Sequence, residues 1–242
     1  SELWSILDFT NKGYLGNLNK FTKEFAKPIQ QEQDRKRLEV FQKITAPFLL
    51  RRVKTDKSII SDLPDKIENN HYTKLTSEQA ALYESVVKQS LKDIDENEGI
   101  ARKGLVLKLM TALKQIGNHP HQYLGKGKKV MEESGKAQLL LSLLENIRDA
   151  NEKVLIFTQY RAMGELLAGF ITEKFGQEPL FLHGGISRKQ RDVLVERFQK
   201  NRTDSIFILS LKAGGTGLNL TQGNHVVHYD LWWNPAVENQ AT

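Results

Sequence analysis

The residues best suited to chemistry lie near the end of the sequence, in SIFILSLKAGGTGLNLTQGNHVVHYDLWWNPAVENQAT. An apolar run over residues 206–211 leads into a loop holding Gly214, Gly215 and Gly217. A second run, over 226–230, leads into Trp232, Trp233, Asn234 and Pro235. A strand whose carboxyl end enters a glycine loop lets an open α/β domain aim backbone N–H groups at phosphate. Lys212 stands just before the loop, and the two tryptophans follow the next strand. Backbone donors, a cation and aromatic faces together suit nucleic acid. Adjacent residues leaving a strand point to opposite sides, so one tryptophan can pack while the other faces out.

Other chemistries are excluded by spacing. Gly215 and Gly217 begin a dinucleotide-like pattern, but Leu220 stands where its third glycine belongs. Ser134-Gly135-Lys136-Ala137-Gln138 looks like the end of a P-loop. Val130 occupies the first glycine position, and Ala137 stands where Ser or Thr would reach magnesium. No Asp-Glu box is present either, so the chain lacks the usual parts for cleaving ATP by itself and no residue is assigned as catalytic. His119 and His121 flank Pro120 and suit a helix stop rather than a metal. There is no cysteine, so no disulfide or thiolate site, and no Gly-x-Ser-x-Gly nucleophile turn. No metal site is expected.

The elements that must hold the glycine loop follow from periodicity. VLIFT (154–158), a run at 180–183 and the run from 206 are continuous apolar strands, separated by helices over 163–175 and from Ser187. That alternation predicts a parallel sheet covered by helices on both faces. Upstream, Thr76-Ser77-Glu78-Gln79 is a helix cap. Residues 78–118 then read as a helical hairpin broken at Glu98-Gly99. Residues 68–75 are expected as a strand and 125–135 as a polar loop. Residues 1–50 read as helices. Leu3, Trp4, Ile6 and Leu7 mark one, and Leu38, Phe41, Ile44 and Phe48 another, with a break at residues 13–16.

Composition is that of a globular chain: 242 residues, 39% hydrophobic, 26% charged, net charge +6. Residues 1–66 carry 13 basic and 9 acidic side chains against 10 and 9 over 151–242, so the basic excess is mostly N-terminal. There is no membrane-length apolar run and no signal-type start, so an intracellular site, cytoplasmic, nucleoid or nuclear, is expected, with no membrane partner. The sequence starts in mid-pattern without Met, which leads us to expect a piece of a longer protein.

These blocks, in this order, resemble the second half of Swi/Snf-type ATPases, the DNA translocases of helicase superfamily two. VLIFTQY (154–160) is similar to motif IV, FLHGGISRKQRDVLVERFQ (181–199) to the block after it, and the closing stretch to motif V and the start of motif VI. ELWSILDF (2–9) resembles the helix after motif III in the first lobe. PFLLRRVKTD and LPDKIE resemble the linker between lobes, and QIGNHP (115–120) a helix end before motif IV.

The resemblance implies an α/β, RecA-like lobe with a parallel sheet, flanking helices and helical protrusions. Residues 1–52 would be the helical tail of a first lobe and 53–66 the interlobe linker. Residues 67–242 would be the second lobe, with a hairpin inserted at about 77–133 and the chain ending at motif VI. It implies DNA contacts from Gln159, Lys212, Gly214, Gly215, Thr216 and Trp233. Gly217, Asn219 and Gln240 would lie toward the ATP cleft, and Arg51 and Arg52 in the linker. Implied partners are double-stranded DNA, held by its backbone, and the first RecA-like lobe of the same protein. Implied cofactors are ATP and magnesium in the parent enzyme, with none bound by this portion alone. Two alternatives stay open: a stand-alone nucleic-acid-binding or interaction module without turnover, and the second lobe of an RNA helicase.

Overall fold

Every residue of Val154–Thr158 and Ile206–Ser210 is buried, as apolar runs without alternation require when both faces of a sheet are covered. The computed structural model describes residues 2–50, 67–127, 129–210 and 218–232. They divide into two compact units, Ser1–Asn69 and Asn70–Thr242.

The larger unit has the expected α/β architecture. Among the described residues its sheet has four strands, β1 (Val154–Thr158), β2 (Leu180–Leu182), β3 (Ile206–Ser210) and β4 (His225–His228), in the order β2-β3-β1-β4. All three pairings are parallel, with Val154 opposite Ile206 on one side and His225 on the other. Side chains alternate between two cores. Val154, Ile156, Ile206 and Ile208 meet Leu140, Leu144, Leu167 and Phe170, from helices α8 (Gly135–Asp149) and α9 (Arg161–Phe175). Leu155, Phe157, Phe207 and Leu209 meet Phe198 of α10 (Arg188–Lys200). Ser187 and Gln190 form a capping box that starts α10 where Ser187 was expected to begin it.

Before the sheet come α5 (Ser77–Asp95) and α6 (Gly99–Asn118), the expected hairpin, followed by the short α7 (Pro120–Leu124). Thr76 and Gln79 form the anticipated capping box of α5. Residues 67–76, expected to contain a strand at 68–75, instead form no regular element. They are tied to helix ends rather than to a sheet edge. Thr76 Oγ1 donates to the Glu133 carbonyl at 3.1 Å. The Lys74 carbonyl lies so close to Gly135 that a Cβ there would stand 2.2 Å from it. That contact explains the Ser-Gly-Lys sequence without any phosphate. Ser134 caps α8 through the Ala137 N–H, and Gly135 leaves room for the crossing backbone.

The smaller unit is helical: α1 (Glu2–Thr10), α2 (Leu18–Phe21), α3 (Lys27–Gln30) and α4 (Arg35–Thr45). A π-helical stretch, Thr22–Ala26, joins α2 to α3. Leu7, Leu15 and Phe21 are buried, with Trp4, Phe25 and Phe41 packed around them. Gly13 and Gly16 take positive φ, 79° and 70°, at the expected break. Trp4 closes that turn by donating to the Gly16 carbonyl at 3.0 Å. Helix over 18–30 agrees with the helical reading of residues 1–50, although no individual element was assigned there.

Gly135→Ala should cost about 1–3 kcal/mol, because a backbone carbonyl cannot move aside as a side chain can. Gly169→Ala, on the open face of α9 with nothing within 4 Å, should instead gain up to about 1 kcal/mol of helix propensity. Urea midpoints of the two variants, at constant m-value, test the contrast.

Candidate functional site

The carboxyl end of a parallel sheet is where such folds bind ligands, and there this protein buries charge. Asp230, two residues past β4, is 3% exposed. Its Oδ2 accepts from Thr158 Oγ1 at 2.6 Å and from Asn118 Nδ2 at 3.1 Å. Its Oδ1 accepts from the Gln159 backbone N–H at 2.7 Å. Among the described residues, three donors and no acceptor face this carboxyl, an arrangement that suits the ionised form. Burial nevertheless pushes its pKa above the usual carboxylate value, while Thr158, the Gln159 N–H, Lys136 and Asn118 pull it back. Burial likewise pushes the Lys136 ammonium down, opposed by Asp230.

Around this carboxylate the last turns of α6 join the exits of β1 and β4. Asn118 Oδ1 accepts from Lys136 Nζ at 3.1 Å. The Asn118 carbonyl accepts from Ser134 Oγ at 2.5 Å and Tyr229 OH at 3.1 Å. Just before it in the same turn, the Ile116 and Gly117 carbonyls accept from Gln79 Nε2 at 2.8 and 3.2 Å. Past Asp230, the Leu231 carbonyl accepts from Lys114 Nζ at 2.7 Å and from Gln159 Nε2 at 2.5 Å. Trp232 then packs on the α10 side of the sheet, with Leu155, Phe157 and Leu209.

The expected site residues fall into three groups. Gln159 lies at the carboxyl edge, with its side-chain N–H engaged by Leu231. Asn219 is exposed and lies apart from it: its carbonyl accepts from Gln199 Nε2 at 3.0 Å, beside the last turn of α10. Arg51, Arg52, the linker 53–66, Lys212, Gly214, Gly215, Thr216, Gly217, Trp233 and Gln240 lie outside the described residues. The polar cluster itself was missed. The Asn-His-Pro of residues 118–120 carries a weak signal, a polar helix end, but nothing in the sequence pairs Asn118 with Asp230, 112 residues on.

Residues 1–122 match the family model of the SNF2-related domain, and residues 135–242 that of the helicase conserved C-terminal domain. The chain belongs to the SNF2/SWI2 family of helicase-like ATPases. Within this family it is 48% identical over 244 residues to a putative ATP-dependent helicase/translocase of Bacillus subtilis, covering 100% of this chain and 26% of that protein. Among solved structures, it is 42% identical to the SWI2/SNF2 ATPase core of Sulfolobus solfataricus, with a TM-score of 0.69 over 99% of this chain and 50% of that one. The same core in complex with double-stranded DNA gives 42% identity and 0.67 over 96% and 49%. The chain thus spans about a quarter of the length of the curated relatives it matches. SNF2-family membership implies dependence on ATP and magnesium in general. Among the described residues, no three His, Cys, Asp or Glu side chains gather to hold a metal. Lys136 is turned inward to Asn118 and the Tyr229 carbonyl. The described residues therefore do not by themselves fit a magnesium nucleotide. None of the described helices is long and apolar enough to cross a membrane.

His119 gives the site a pH signature. It is fully buried, with Nε2 at 2.9 Å from the Val130 carbonyl and Nδ1 accepting from the His121 N–H at 3.1 Å. A proton on Nδ1 would face another donor, so the neutral ring fits. Burial pushes its pKa down, with the Val130 carbonyl opposing. A histidine depressed in the fold contributes stability above its unfolded pKa, about 6.5, and loses it as pH falls toward the folded value. Urea midpoints should drop as pH falls below about 6.5, and His119→Gln should flatten that dependence even while lowering stability throughout. Asp230, raised in the fold, acts with the opposite sign at lower pH: stability falls as pH rises through the carboxylate range.

Proposed function

We propose that this chain is the C-terminal portion of an ATP-driven, double-stranded DNA translocase of the SNF2/SWI2 family. In this reading residues 1–52 are the helical tail of a first lobe, ending in Arg51 and Arg52 where the linker 53–66 begins, and 67–242 are the second lobe with its hairpin. The observation that carries it is the parallel sheet whose carboxyl edge presents Gln159 and the Leu231–Trp232 exit. The likeness to a Sulfolobus core solved with double-stranded DNA supports it. Lys212 and the Gly214, Gly215 and Thr216 backbone would hold phosphates of the tracked strand, with Gln159 beside them. Gly217, Asn219 and Gln240 would face the nucleotide cleft. Such contacts carry no base information, so binding is sequence-independent.

Trp232 and Trp233 divide the labour. Trp232 packs on the lobe. Trp233, its neighbour, is the aromatic contact to DNA.

The 242-residue chain should bind duplex DNA with a dissociation constant of about 10⁻⁴ to 10⁻⁶ M and lose affinity steeply with salt. It should hydrolyse no ATP, since it has neither Walker A nor an acidic box. Fluorescence anisotropy across a salt series, with phosphate release on the same samples, tests both statements. Salt-insensitive binding, or DNA-stimulated phosphate release, would overturn the reading. In an enzyme carrying both lobes, Trp233→Ala should lower translocation per ATP by removing a contact of roughly 1–3 kcal/mol. Trp232→Ala should act as a packing defect, visible as a lowered Tm.

A further inference from the structure

Among the described residues ten polar or charged side chains are buried, and six of them, Gln79, Asn118, His119, Ser134, Thr158 and Asp230, lie along one seam. The seam runs where the base of the α5–α6 hairpin meets the carboxyl edge of the sheet. An apolar joint of the same size would hold the hairpin at no desolvation cost, and polar joints of this kind serve geometry more than strength. The rest of the hairpin is lightly held. Leu91, Ile100 and Leu107 are 48%, 90% and 64% exposed, while Ala112, Ile116 and Asn118, all near the base, are the buried residues of α6.

Two hydrogen bonds reach beyond the seam to the backbone that leaves β4. Lys114 Nζ, from the penultimate turn of α6, and Gln159 Nε2, from the exit of β1, converge on the Leu231 carbonyl. One residue earlier, Asn118 holds the Asp230 carboxylate. One residue later comes Trp232. The direction of the chain at 230–232 is therefore set jointly, by the exit of β1 and, from outside the sheet, by α6.

We propose that Lys114 and Asn118 are positioning residues: the base of the hairpin helps fix the path of the chain over Asp230–Trp232, the exit from β4 at the DNA-facing edge of the lobe. The inference rests on the DNA-translocase reading above. Lys114 acts on DNA through Leu231, not by touching a phosphate. A hairpin pushed or pulled by a partner would shift the same carbonyl, which makes it a lever on the DNA-facing end of the lobe.

The test has two arms on the 242-residue chain. Without DNA, Trp232 is made the sole tryptophan by Trp4→Phe and Trp233→Phe. Lys114→Met should then red-shift Trp232 emission and speed its quenching by acrylamide, and Lys114→Arg should restore both. Unchanged emission in Lys114→Met, with the fold intact by circular dichroism, overturns the inference whatever DNA does. With DNA and the native tryptophans, Lys114→Met should weaken duplex binding roughly tenfold, the worth of one charge-assisted hydrogen bond. The slope of log affinity against log salt should not change. A slope reduced by about 0.9, one phosphate contact, makes Lys114 a direct ligand and overturns the positioning role. Absence of any duplex binding by the unmodified chain sinks the translocase reading instead, and the emission arm still decides whether α6 helps set the path at 230–232.

Discussion

The Asp230 carboxylate is the constraint on which the lobe depends. It sits just past the edge strand and collects donors from three places: the end of β1, the backbone that follows it, and the end of α6. No apolar contact could relate those three segments with the same angular definition, because dispersion is non-directional and hydrogen bonds are not. The apolar cores on the two faces of the sheet supply most of the stability. The carboxylate decides which backbone groups end up beside one another at the carboxyl edge.

Burying that charge is costly, and the arrangement around it shows how the cost is contained. Lys136 lies close enough to offset part of the rise that burial gives the Asp230 pKa, while burial lowers the pKa of Lys136 itself. Asn118 lies between the two, donating to the acid through Nδ2 and accepting from the base through Oδ1. A buried carboxylate and a half-buried ammonium bridged by an amide are satisfied together only while all three side chains stay in place. Loss of any one leaves a charge unpaired, so the cluster behaves as a unit.

The sheet was legible in the sequence because its strands are covered on both faces, and uninterrupted apolar runs such as 154–158 and 206–210 leave few alternatives. The hairpin was legible because Thr76 and Gln79 make a capping box that is a local signal. The strand expected at 68–75 was wrong because the segment runs against helix ends, its Lys74 carbonyl crossing close to Gly135 and the following Thr76 side chain bonding the Glu133 carbonyl, which no local pattern reveals. Residues 18–30 were read as helical within 1–50, but their division into separate elements was not legible, because their apolar residues serve a small core shared with Trp4 and Phe41. Of the expected site residues, Gln159, singled out by the motif IV resemblance, lies at the carboxyl edge after β1. Asn118, Lys136 and Asp230 were not singled out, because their meaning is relational: each is an unremarkable polar residue until the fold brings it to the other two.

The two ends of the hairpin are fastened within a few residues of each other, at Thr76 and Gln79 on one side and at Ile116 to Asn118 on the other. Everything between them is, geometrically, a detachable length of rod. Removing two turns, roughly seven residues, from each helix would preserve the phase at which both return to the base. The lobe could thus carry arms of different reach on an identical socket.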